Sequence, residues 1–116
     1  MAFTSTSLTE IDLSHNDISD IEEKAFKGVS GSVDIDLSDN QLQELRADPF
    51  SILIVNITGT IDVTLNPLLC SCDLLWIVTV PDVELNKLTG LLPTCGISEE
   101  YGMEALKEFI SYQCSP

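Results

Sequence analysis

Apolar residues recur along this chain in two rhythms, one short and one long. Ile11 and Leu13 stand two apart, as do Ile35 and Leu37, and Ile61 and Val63. Alternation of this kind predicts short strands whose side chains point to opposite faces. The long rhythm appears when residues 8–29, LTEIDLSHNDISDIEEKAFKGV, are set against residues 32–53, SVDIDLSDNQLQELRADPFSIL. Ile11 aligns with Ile35, Leu13 with Leu37, Asn16 with Asn40 and Ile18 with Leu42. Ile21 then aligns with Leu45, Phe26 with Phe50 and Val29 with Leu53, always at an offset of 24. A third, degraded unit places Ile61, Val63 and Asn66 at an offset of 26 from Ile35, Leu37 and Asn40. The two extra residues fall within SILIVNITGT. A fixed period of this length signals stacked units, none of which can bury its apolar face alone. The asparagines are expected to form a ladder, bonding backbone groups that a curved turn leaves unpaired.

The pattern resembles the leucine-rich repeat, L-x-x-L-x-L-x-x-N-x-L followed by a spaced Phe. That resemblance implies an α/β solenoid with short parallel strands on its concave face. Ser32 and Thr58 depart from it, standing where the first consensus leucine is Leu8.

The four cysteines add a second constraint. Cys70 and Cys72 are separated by one residue, a poor geometry for bridging each other. Cys95 and Cys114 are the distant candidates, and sequence alone leaves three connectivities open. The stretch NPLLCSCDLLW resembles the cysteine-rich C-terminal flanking domain of extracellular leucine-rich repeat proteins, through Asn66, Pro67, Cys70, Cys72, Leu74 and Trp76. The resemblance implies pairs Cys70–Cys95 and Cys72–Cys114, and a disulfide-bonded cap over the last repeat. Residues 1–65 then form the repeats, two full units and the degraded third, and residues 66–116 the cap. Within the cap, residues 73–80 are expected to form a short helix that lays Trp76 over the final unit. Met103, Leu106, Phe109 and Ile110 recur at helical spacing, and residues 81–93 read as an ordinary cap loop. The rival reading is a zinc site, but zinc favours C-x2–4-C pairs, whereas this chain has C-x-C and two isolated cysteines.

Composition narrows the partners. The chain of 116 residues carries 19 acidic and five basic residues, a net charge of −14. Nucleic acid, bound through Lys and Arg on phosphates, is a poor match, and so is an anionic membrane surface. A basic protein ligand or a cation fits the charge better. No run of about 18 apolar residues predicts a membrane span. The opening MAFTSTSLTE has neither the basic stretch nor the apolar core of a signal peptide, yet four cysteines suit an oxidising compartment. These are reconciled by expecting the C-terminal fragment of a longer extracellular protein, secreted or membrane-anchored. Its N-terminal edge, Leu8, Ile11, Leu13, Ile18 and Ile21, would then invite self-association or be covered by preceding repeats.

The resemblance also points to the concave sheet as the binding face. The outward positions there include Glu10, Asp12 and His15, then Asp34, Asp36 and Asp39, then Asp62. Asp12, Asp36 and Asp62 are expected in one column, with strands about 4.8 Å apart. Such a column suits a basic partner or a cation, although it is also the ordinary filling of this repeat. The run Asp12, Ser14, His15 invites a catalytic reading, but adjacent strand residues do not meet as nucleophile and base. No catalytic residue, metal site or cofactor is assigned. Asn56 opens an N-I-T sequon and is a glycosylation candidate. The expected function is a non-catalytic protein-binding module, with a purely structural end-cap of a longer solenoid as the alternative.

Overall fold

A computed structural model describes residues 9–91 and 102–114. Four short strands form one parallel sheet in the order β1 (Glu10–Asp12), β2 (Asp34–Asp36), β3 (Ile61–Asp62) and β4 (Leu88–Thr89). Ile11 pairs with Ile35, Ile35 with Ile61, and Ile61 with Leu88. The ladder runs on past the strand ends, where the Leu13 and Leu37 amides donate at 2.8 Å to the carbonyls of Asp36 and Asp62. Parallel strands need long crossovers, and the units supply them, with partner offsets of 24 from Ile11 to Ile35, 26 from Ile35 to Ile61 and 27 from Ile61 to Leu88.

Ile11, Ile35, Leu37, Ile61 and Val63 turn inward and are buried. They meet the residues that each unit returns behind the sheet. In the first unit these are Ile21, Phe26 and Val29, held by successive tight turns such as Val29 N–H to the Phe26 carbonyl at 3.0 Å. In the second unit a helix, α1 (Ala47–Asn56), takes their place. Asp48 is non-helical inside it (φ −97°, ψ 124°), because the residue before a proline is driven out of the helical region. The helix buries Pro49, Phe50, Leu53 and Ile54. It also absorbs the two extra residues of the third offset, which therefore lengthen the back of the unit and leave the strand register intact. Where the consensus leucine is lost, Ser32 Oγ and Thr58 Oγ1 lie 3.2 Å apart. Gly59 follows, and a Cβ there would sit 2.0 Å from the Val33 carbonyl oxygen, so only glycine lets the neighbouring strands approach.

The asparagines staple unit to unit. Asn40 is buried. Its amide N–H groups are shared among the carbonyls of Leu13, Leu37 and Ser38 at 3.0–3.1 Å, and its oxygen accepts from the Ile18 amide at 3.1 Å. Asn66 repeats the arrangement one unit on. It donates to Leu37, Val63 and Thr64 and accepts from the Leu42 amide. Asn16 is exposed and donates only to carbonyls of its own unit, Leu13 and Ser14.

The C-terminal region covers the far end of the core. A 3-10 helix (Cys72–Thr79) buries Leu74 and Ile77, with the Ser71 hydroxyl accepting from the Asp73 amide at its start. Trp76 Nε1 donates to the Leu45 carbonyl at 2.7 Å. Residues 81–91 depart from the expected loop: they form a helical turn, α2 (Asp82–Leu85), and then β4, while residues 92 and 93 of that expectation lie outside the described residues. Lys87 Nζ reaches the Ile54 and Ile57 carbonyls at 3.0 and 2.6 Å, supplying positive charge where the end of α1 leaves carbonyls unpaired. The last helix, α3 (Gly102–Gln113), buries Leu106 and Ile110 but leaves Phe109 exposed. Lys107 Nζ bonds the Val80 carbonyl and the Asp82 carboxylate, each at 2.6 Å.

A disulfide joins Cys72 to Cys114, across 42 residues. Cys70 is also disulfide-bonded; Cys95 lies outside the described residues. In the chain-entropy account a loop of this size contributes about 4 kcal/mol. Burial of Leu74, Ile77, Leu85, Leu106 and Ile110 at about 2 kcal/mol each is larger, before ordering entropy is subtracted. The apolar seam, with the bridge as a staple, holds this region.

The staple role of Asn40 sets an expectation. Asn40→Ala should lower stability by about 3 kcal/mol, since it orphans the Ile18 amide and strips partners from buried carbonyls. Asn16→Ala, at an exposed rung, should cost less than about 1 kcal/mol. Urea unfolding at constant m-value measures both, and equal losses would remove the staple from the account.

Candidate ligand-binding surface

The sheet has one inward and one outward face, and the outward face is built from a repeated pentapeptide. Asp12-Leu-Ser-His-Asn16, Asp36-Leu-Ser-Asp-Asn40 and Asp62-Val-Thr-Leu-Asn66 occupy equivalent places in the three units. The register sets Asp12 beside Asp36 and Asp36 beside Asp62, with Thr89 of β4 completing the row.

Each carboxylate of the row is engaged by its own turn. Asp12 Oδ1 accepts from the Ser14 amide at 3.0 Å and hydroxyl at 2.5 Å. Asp36 does the same with Ser38, at 2.9 and 2.6 Å, and Asp62 with Thr64, at 2.9 and 2.7 Å. This is local side-chain capping of a turn. The Ser14 hydroxyl and amide hold the Asp12 carboxyl below its ordinary range, with a smaller contribution from His15. These aspartates therefore have a structural duty that a strand pattern alone does not reveal, and each keeps its second oxygen for other company. Asp34 is occupied too, its Oδ1 accepting from the Thr60 amide at 2.9 Å and hydroxyl at 3.2 Å in the next unit.

The fourth position of the pentapeptide is left-handed in every unit: His15 has φ 57°, Asp39 φ 54° and Leu65 φ 59°. Such a conformation costs a non-glycine residue about 1 kcal/mol or more. The neighbouring unit holds it, since the His15 amide donates to the Ser38 carbonyl at 3.1 Å and the Asp39 amide to the Thr64 carbonyl at 3.0 Å. Stacking brings His15 Nδ1 within 2.7 Å of Asp39 Oδ2. Hydrogen bonding and attraction to Asp39 raise the His15 pKa above its ordinary value. The imidazole thus meets Asp39, while the Ser14 hydroxyl donates to Asp12. The catalytic arrangement suggested by adjacent Asp, Ser and His does not form.

Charge is segregated. Glu10, Asp12, Asp34, Asp36, Asp39 and Asp62 all lie on the outward face or its rim. Among the described residues none of the five Lys and Arg pairs with them. Arg46 pairs with Asp20 and lies 3.9 Å from Glu44, Lys87 and Lys107 brace the C-terminal region, and Lys24 and Lys27 flank Phe26 behind the sheet. Among the described residues no group of three or more His, Cys, Asp or Glu is placed to hold a metal. The thiols of Cys70, Cys72 and Cys114 are consumed in disulfides. Among the described residues no helix is long and apolar enough to cross a membrane.

Neither β4 nor the lysine braces were anticipated from sequence. For β4 one weak signal exists: Leu85 and Leu88 keep the L-x-x-L spacing of a further unit. For Lys87 there was none, because its partners are main-chain carbonyls about 30 residues away.

The His15–Asp39 pair gives a titration test. With its folded pKa above the ordinary value of about 6.5, the pair's contribution to stability is fully present below that value. It is lost as pH rises through the folded pKa. His15 is the only histidine, so one imidazole resonance reports it. Its NMR pKa should stand above the ordinary value and fall in Asp39→Asn. An unchanged pKa in that variant would disprove the pairing.

Residues 6–53 match the family model described as Leucine rich repeat. No curated protein and no solved structure matches the chain. The family match, on a stacked parallel sheet with an asparagine ladder, supports a leucine-rich repeat protein and the protein-interaction role general to such repeats.

Proposed function

We propose that this chain is a non-catalytic, extracellular protein-interaction module, the C-terminal part of a leucine-rich repeat receptor, adhesion or secreted protein. Its ligand is a protein with a basic surface, received on the acidic sheet face. One observation carries the reading: the outward face gathers Glu10, Asp12, Asp34, Asp36, Asp39 and Asp62, and among the described residues no Lys or Arg pairs with any of them, His15 alone pairing with Asp39. Charge segregation of this kind steers a complementary partner and speeds encounter. The extracellular placement is supported by the Cys72–Cys114 bridge, since such bonds persist in oxidising compartments. Cys70–Cys95 is the second bridge of this reading, and residues 66–116 act as a cap that closes the solenoid after the repeats of residues 1–65.

A second reading has an observation of its own. At the β1 edge an apolar groove of about 270 Å³ is lined by Leu13, Ile18, Ile21, Ala25, Phe26 and Leu37, among others. On this reading the chain is a structural end of a stack, and the groove is where a second copy packs. Sedimentation velocity should then show mass rising with concentration, with Ile18→Ser suppressing it. A concentration-independent monomer counts against this reading.

The primary reading is tested with an oligolysine peptide as a generic basic probe, followed by a panel of basic secreted proteins. Asp36→Asn with Asp62→Asn removes two charges yet leaves an oxygen to accept from Ser38 and Thr64. At about 0.5 kcal/mol per exposed pair, the double variant should bind roughly fivefold more weakly. Raising salt should weaken the parent in the same direction. Binding that ignores both changes would falsify the acidic face as the docking surface.

A further inference from the structure

The back of the molecule carries a feature that the sheet face does not explain. On α1, Ile52 is 62% and Val55 57% exposed, although both belong to an otherwise buried apolar run. Asn56 follows, also exposed. Ile52 and Asn56 are four apart and so share one side of the helix. They line the same groove of about 210 Å³, together with Phe26, Pro49 and Leu53. Asn56 also begins Asn-Ile-Thr, an acceptor sequon whose central residue is not proline. Only the Ile57 side chain of this tripeptide is buried, whereas Asn56 and Thr58 stay exposed. The fold can therefore carry a bulky substituent on the Asn56 amide without repacking its core.

We infer that Asn56 is an N-glycosylation site and that its glycan lies over the Ile52–Val55 strip. The inference rests on the secretory placement proposed above. In the transfer, the Asn56 amide nitrogen attacks the anomeric carbon of an oligosaccharide carried on a lipid pyrophosphate. The nitrogen–carbon bond forms, the bond from that carbon to the pyrophosphate oxygen breaks, and the amide proton leaves with the lipid pyrophosphate. Sugar on this amide solvates an apolar strip that would otherwise be a contact patch. Because α1 packs behind the inward residues of β2 and β3, the glycan leaves the acidic face open.

The test is expression of the full chain behind a secretory leader in a eukaryotic host, followed by intact mass and peptide mapping. A glycan mass increment is expected, removable by peptide-N-glycosidase with deamidation at residue 56. It should be lost in Asn56→Gln and in Thr58→Ala and kept in Thr58→Ser. Deglycosylation should raise the fluorescence of an apolar-surface dye, and Ile52→Ser should cancel that rise. A homogeneous unglycosylated mass with the Cys72–Cys114 bridge formed overturns the inference and leaves the secretory reading standing. A glycan whose removal leaves dye binding unchanged overturns the covering of the strip.

Discussion

The buried amide of Asn40 is the interaction on which the repeat architecture depends. A parallel sheet with two- and three-residue strands has few ladder bonds of its own. Beyond each strand the chain must turn, and the turn strands carbonyls and amides inside the molecule. Each left unpaired would cost about 1–3 kcal/mol. Asn40 and Asn66 answer with both ends of one amide, donating to the two flanking strand ends and accepting from the preceding unit's returning segment. A carboxylate could not donate and an ammonium could not accept, so asparagine is the residue that closes the stack at this point.

The aspartates gain a different meaning in that setting. Each opens a turn that the asparagine four residues later closes, and its first oxygen is spent on the Ser or Thr two residues on. The acidic row is thus partly a by-product of turn building. That origin does not cancel its charge. The free second oxygens, with Glu10 and Asp39 beside them, still present a negative surface, and no Lys or Arg neutralises it. Structural need explains why the row exists; His15 pairs with Asp39 at its rim, and among the described residues no Lys or Arg pairs with the row itself.

The C-terminal region is integrated with the stack through main-chain contacts that apolar packing alone would not specify. Trp76 and Lys87 both reach carbonyls at the back of the second unit, and β4 extends the sheet itself. Gly90, at φ 101°, is required there, since a Cβ would fall 2.7 Å from the Thr64 amide nitrogen. The disulfide between Cys72 and Cys114 ties the 3-10 helix to the end of α3, adding to a seam already made by Leu74, Ile77, Leu106 and Ile110.

By itself the sequence determined the unit, the inward residues, the Asn40 and Asn66 rungs and the pairing of β1 with β2 and of β2 with β3. These follow from periodicity, since alternation at two residues and recurrence at 24 are properties of the string, and stacking is the one way to bury such units. The tertiary structure decided what each polar group does. Whether Asp36 is a free charge or a turn cap, whether His15 meets Ser14 or Asp39, and whether Lys87 is solvated or spent on α1 depend on distances across units. The extra residues after Phe50 went into α1 for the same reason: the strand register is held by hydrogen bonds to both neighbours, while the back of the unit has room to lengthen. Leu88 and Thr89 became a strand because the open edge of β3 offered unpaired backbone groups. The L-x-x-L spacing of Leu85 and Leu88 is compatible with a strand but does not record that edge.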